Sequence, residues 1–151
     1  MEKIIDAIFK GDLTTLTKIS DIKEKINKPY NENGWTPFML IVKEFYEAEI
    51  IEDFIKLGGN VNTVTKQGLT PLMIASQHRS SPEVIELLLQ YGADINYQDN
   101  YGYTAIMKLL EHPQLSMRKY VLRTLINNGS DLINLKNIEC KTAADMIIER
   151  L

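Results

Sequence analysis

Two histidines, His78 and His112, stand 34 residues apart. A pair of imidazoles brought face to face can ligate a metal or pass a proton. No third ligand with metal-like spacing accompanies them, so a zinc site is not expected. Cys140 is the only cysteine. A reactive thiol needs a His and an Asn or Asp beside it, and nothing near Cys140 suggests them. Asp94-Ile95-Asn96 offers calcium-like oxygens but lacks the twelve-residue ligand series of a calcium loop. No phosphate-binding loop, nucleophile elbow or paired-carboxylate signature occurs. The expectation is therefore no catalytic residue, no metal and no cofactor. The residues that remain are suited to recognition. Trp35, Tyr101 and Tyr103 lie close to glycines, with Tyr30 and Tyr97 nearby. Trp and Tyr dominate interface energetics.

The elements that must position these residues repeat. Gly34-Trp35-Thr36-Pro37-Phe38-Met39 returns as Gly68-Leu69-Thr70-Pro71-Leu72-Met73 and as Gly102-Tyr103-Thr104-Ala105-Ile106-Met107. A weaker copy is Cys140-Lys141-Thr142-Ala143-Ala144. The threonines at 36, 70, 104 and 142 are separated by 34, 34 and 38 residues. A second motif runs in phase: Leu57-Gly58-Gly59-Asn60-Val61-Asn62, then Tyr91-Gly92-Ala93-Asp94-Ile95-Asn96, then Asn128-Gly129-Ser130-Asp131-Leu132-Ile133-Asn134. Such a period predicts a solenoid of stacked units.

Residues 65–98 show one unit. Thr70 is a helix N-cap and Pro71 fits the first helical position, where no N–H partner is needed. Leu72, Ile74, Ala75 and Ser76 give a short helix whose small side lets a neighbour approach. Ser81-Pro82 restarts the chain. Val84, Ile85, Leu87, Leu88 and Leu89 form a second helix, apolar on more than one side because it packs on its partner and on both neighbours. Gly92 ends it in the left-handed conformation. A polar turn, 98–102, then projects as a hairpin-like loop. The fold class is all-α, with nine helices from four pairs and one single helix, Thr142 to Leu151.

Composition sets outer bounds. The chain has 151 residues, 44% apolar and 25% charged, close to a folded-domain average. A net charge of −3 does not favour a nucleic-acid partner. A single cysteine permits no intrachain disulfide and suits a reducing compartment. The longest strictly apolar run, Phe38 to Val42, is far short of the roughly 20 residues a bilayer span needs. The acidic N-terminus does not read as a secretory signal. A cytoplasmic monomer is expected.

The chain resembles the ankyrin repeat family. The resemblance rests on Gly68-Leu69-Thr70-Pro71-Leu72-Met73-Ile74-Ala75, Glu86-Leu87-Leu88-Leu89 and Tyr91-Gly92-Ala93-Asp94-Ile95-Asn96, and it covers nearly the whole chain. It implies an N-terminal cap over 1–30, repeats at 31–64, 65–98 and 99–136, and a closing half-repeat at 137–151. Met39, Met73 and Met107 replace the family's histidine, so the bonds that His makes to the turn must be absent or replaced. The third repeat lacks the Pro (Ala105) and gains three residues around Glu111 to Ser116, which lengthen the turn between its helices. The resemblance also implies that the loop tips and the exposed side of each first helix line a concave binding face. The residues before the repeat Gly are Asn33, Gln67 and Tyr101; those after it are Trp35, Leu69 and Tyr103. These six are the expected partner-binding residues, with large rings exposed. Lys28, Lys66, Lys136 and Lys141 near the same edge read as solvated lysines. Three roles fit: an intracellular adaptor or inhibitor, a microbial effector acting on a host protein, and a small enzyme or ligand-binding protein. The last lacks any convergent polar constellation.

Overall fold

In every repeat the first helix starts from the same local device. The hydroxyls of Thr36, Thr70, Thr104 and Thr142 accept the main-chain N–H three residues on, and so cap the helices that follow. Thr142 adds a reciprocal bond from Asp145, a full capping box. The computed structural model describes residues 1–78, 81–113 and 118–150. Among these lie ten helices and no strand: α1 (Glu2–Lys10), α2 (Leu13–Lys18), α3 (Ile22–Lys25), α4 (Pro37–Glu44), α5 (Ala48–Lys56), α6 (Pro71–Gln77), α7 (Pro82–Gln90), α8 (Ala105–Leu110), α9 (Lys119–Asn127) and α10 (Ala143–Ile148).

The helices form two layers. α1, α4, α6, α8 and α10 pack in sequence as an inner layer, and α5, α7 and α9 pack as an outer one. Phe38, Ile41, Phe54, Leu72, Leu88, Leu109 and Leu125 are among the side chains fully buried between them. Met39, Met73 and Met107 are buried as well. Where these methionines stand, the loop is held from its other end. The side chains of Asn31, Thr65, Asp99 and Asn137 accept the N–H of Trp35, Leu69, Tyr103 and Lys141 respectively.

The repeats are stitched together outside the apolar core. Asn27, Asn62 and Asn96 each donate to a glycine carbonyl of the next unit (Gly58, Gly92, Gly129) and accept an N–H from it (Asn60, Asp94, Asp131). Each amide thus satisfies main-chain groups left over at the end of the second helix.

Two boundaries differ from the sequence expectation. The cap holds three helices, so the described total is ten, one more than expected. Its second segment, Leu13 to Lys18, carries three threonines and buries only Leu16. Thr17 Oγ1 turns back onto the carbonyls of Leu13 and Thr14, a bond that weakens a helix. The chain breaks at Ile19 and resumes as the one-turn α3. The last helix stops at Ile148. α8 ends at Leu110 and α9 begins at Lys119, whereas in the second repeat α6 ends at Gln77 and α7 begins at Pro82. Of that expected insertion, Gln114, Leu115 and Ser116 lie outside the described residues.

Candidate functional site

Each hairpin-like loop is closed by one main-chain bond at its base: Tyr30 N–H to Trp35 O, Thr65 to Leu69, Asp99 to Tyr103 and Asn137 to Lys141, at 2.8–3.0 Å. The tight reversal needs positive φ before the closing residue. Gly34, Gly68 and Gly102 supply it, and Cys140 takes the same conformation with φ 59°. Gly102 answers a second demand. A Cβ there would sit 2.7 Å from the Lys136 carbonyl of the next loop. Cys140 is exposed, so its side chain is accommodated at the cost of its φ alone.

The tips are joined to one another. Lys66 N–H bonds to Asn33 O at 2.9 Å, Asn100 N–H to Gln67 O at 3.0 Å, and Ile138 N–H to Tyr101 O at 2.8 Å. Asn100 Nδ2 adds a bond to Lys66 O, and Gln98 Nε2 bridges Gly102 O and Lys136 O. The carbonyls at 33, 67 and 101 are committed to the stack, whereas the side chains of Asn33, Gln67 and Tyr101 are exposed.

The other three expected residues are not equivalent. Trp35 and Leu69 are partly buried. Tyr103 is only 7% exposed, which corrects the expectation that its ring stands free at a loop tip. Lys108 Nζ lies 4.3 Å from the ring centroid, and the phenol donates to Glu139 Oε1 of the next loop at 3.2 Å. Burial, with Glu111 and Glu139 beside it, pushes the phenol up to about 12, so it stays a donor. Lys108 also pairs with Asp99 Oδ2 at 2.9 Å, with 11% and 1% of the two side chains exposed. Asp99 Oδ1 meanwhile accepts the N–H groups of Tyr101 and Tyr103. The position of Lys108 is Leu40 and Ile74 in the preceding repeats. The third loop is thus fixed by a buried ion pair where its neighbours carry a buried apolar side chain.

The loops share one surface with the C-terminal ends of the inner helices. Tyr103, Glu139 and Lys141 line an open cavity of about 220 Å³ together with Leu110, Glu111, Glu149 and Arg150. Along these helix ends runs a row that the sequence reading passed over apart from its histidines: Lys10, Glu44, His78, His112 and Arg150. Its steps are 34, 34, 34 and 38, so the spacing that revealed the threonines could have revealed it too. Glu44 is paired with Lys43 at 3.1 Å. His78 is held below its ordinary value by burial first, then by Lys43 and Arg118, with His112 adding to the effect and Glu44 opposing it. His112 is lowered by burial, Arg118 and Arg150. At the opposite end Met1, Ile5, Phe9 and Tyr30, with Glu2 and Asp6, line an open cavity of about 530 Å³. Phe9 is 62% exposed there.

Among the described residues no three His, Cys, Asp or Glu side chains are grouped to hold a metal ion, and no helix is long and apolar enough to cross a membrane. No curated protein matches the chain at a significant level. The family model for ankyrin repeats (3 copies) matches residues 4–99 and again 44–137. These matches span the stretch over which capped inner helix, outer helix and projecting loop recur, and the chain belongs to the ankyrin repeat family.

Proposed function

We propose that this protein binds a partner protein on the concave face formed by its loop tips and inner-helix ends, acting in the cytoplasm as a monomeric adaptor or inhibitor. Ankyrin repeats are in general protein–protein interaction modules. The observation that carries the reading for this chain is the linked row of tips. Main-chain bonds between successive loops hold the backbone at 33, 67 and 101 while leaving Asn33, Gln67 and Tyr101 exposed. A surface already ordered before binding loses little conformational entropy on association. Tyr101 supplies an aromatic anchor, Trp35 and Leu69 supply partly covered apolar surface beside it, and Asn33 and Gln67 supply a polar rim. Tyr103 supports the third loop from beneath.

The test is affinity capture with the intact protein, compared with a triple variant Asn33→Ala, Gln67→Ala, Tyr101→Ala. The expected result is loss of one or a few specific partners with an unchanged melting curve. Capture of the same partners in the same amounts by the folded variant would remove the tips from the site.

A further inference from the structure

We propose that the C-terminal half of the helix-end row, made of His78, His112, Arg118 and Arg150, is a docking site for an acidic segment of the partner protein. This rests on the protein-binding reading above and names the chemistry of what is bound.

The argument begins with how the cations are compensated. Arg118, just ahead of α9, reaches back 42 residues, and its Nη1 donates to Ser76 O at the end of α6. Arg150 Nη1 donates to His112 O, beyond the end of α8, at 3.0 Å. Both guanidiniums are held by neutral carbonyls at helix C-termini, where partial negative charge favours a cation without neutralising it. Among the described residues neither has a carboxylate within ion-pair distance. The carboxylates on the same surface are already engaged. Glu149 pairs with Lys141 at 2.9 Å, Glu44 with Lys43 at 3.1 Å, and Glu111 lies 4.0 Å from Lys108. The acids of this face are therefore matched internally and the arginines are not.

The register places these groups together. His78, His112 and Arg150 share one position in successive repeats, just past the C-terminal ends of α6, α8 and α10, which pack in order. Arg118 acts on both histidines. Among the described residues, the charged and titratable groups acting on His78 include Lys43 and Glu44 from α4, Arg118 and His112; those acting on His112 include Arg118 and Arg150, with His78 across the row. Two fixed cations span two histidines, and an extended acidic segment could set a carboxylate on each arginine. Its charge would also favour protonation of the imidazoles between them. Their pKa values then lie higher bound than free, so binding takes up protons and tightens as pH falls through that window.

The probe is an octaglutamate peptide titrated into ¹⁵N-labelled full-length protein at about pH 7.5 and about pH 6. The expected result is saturable shifts centred on His78, His112, Arg118 and Arg150, tighter at the lower pH and weakened by salt. The double variant Arg118→Gln, Arg150→Gln should bind about tenfold more weakly. Glutamine keeps an N–H for each carbonyl, and a melting curve checks the fold. If that variant unfolds, octalysine against the wild type decides: it should give no saturable shift. His78→Gln, His112→Gln should remove the gain at low pH. No saturable shift with octaglutamate overturns the proposal. So do shifts centred on Lys28, Lys66 and Lys136, or tighter binding of a short oligonucleotide than of the peptide. Captured partner provides the separating control. If the Arg variant captures it normally while the loop-tip variant does not, the acidic site is wrong and the protein-binding reading stands; if neither variant loses it, both fail.

Discussion

Replacing Asp99 by Asn isolates the worth of the buried charge beneath the third loop. Asn31 and Asn137 hold the same place in other loops and make the same two main-chain bonds through Oδ1. Asp99→Asn therefore keeps the turn and removes only the charge opposite Lys108 Nζ, now 2.9 Å away. The ammonium is left with 11% of its side chain exposed and Glu111 at 4.0 Å as its remaining carboxylate. Stranding one member of a buried pair costs roughly 3–5 kcal/mol. The fallback to Glu111 puts the expectation at the low end, about 3 kcal/mol. The double variant Asp99→Asn, Lys108→Ile converts the third repeat to the pattern of its neighbours, where Leu40 and Ile74 occupy the lysine position. It gives up the cation–π contact with Tyr103, worth about 1 kcal/mol, but no longer desolvates two charges. It should stand within about 1 kcal/mol of the wild type, so the coupling energy is at least about 2 kcal/mol and grows by whatever Lys108→Ile costs alone. Lys108→Ile alone should be milder than Asp99→Asn, because Asp99 retains two N–H donors. Urea denaturation of the four proteins at constant m value supplies the numbers. A loss below about 1 kcal/mol for Asp99→Asn, or a double variant no more stable than that single one, would refute the reasoning.

Tyr103→Ala should destabilise by about 3–5 kcal/mol, as for a buried aromatic, and Trp35→Ala by clearly less; equal costs in urea melts would contradict the unequal burial of the two rings. Leu88→Ala, at a fully buried site in α7, should cost about 2–5 kcal/mol, with a loss under about 1 kcal/mol counting against the register. Cys140→Gly should stabilise by about 1 kcal/mol, since glycine adopts φ near 59° without the Cβ penalty; an unchanged or lower urea midpoint would mean that the thiol packs usefully. Hydrogen bonds from the Thr142 main-chain N–H and hydroxyl hold the Asp145 carboxyl below its ordinary value of 3.8. Its contribution to α10 is present above that value and disappears as pH falls through the lowered one. Amide protection factors in α10 should drop in that acid window, and Asp145→Ala should abolish the dependence.

Much of the helical framework was legible from the chain because the signals are local. A threonine before Pro37 or Pro71 caps a helix with its own hydroxyl, and a glycine at 34, 68 or 102 turns the loop with its own φ. Repetition at 34 residues then fixed which positions share a row, down to the asparagines at 62 and 96. The break at Ile19 was less visible, because the threonines of α2 suit a helix or a turn and only their back-bonds decided. The site divided along the same line. That Asn33, Gln67 and Tyr101 belong to one row, and Trp35, Leu69 and Tyr103 to another, follows from spacing alone. Which of them meets solvent does not. Trp35 and Tyr103 have the same place in their repeats, yet Lys108 and Glu139 close over Tyr103. That Arg118 meets a carbonyl and, among the described residues, no carboxylate likewise depends on a reach of 42 residues to Ser76. Position in a repeat is a property of the sequence, whereas burial and charge compensation depend on the side chains that neighbouring units bring into contact, and those differ from one repeat to the next.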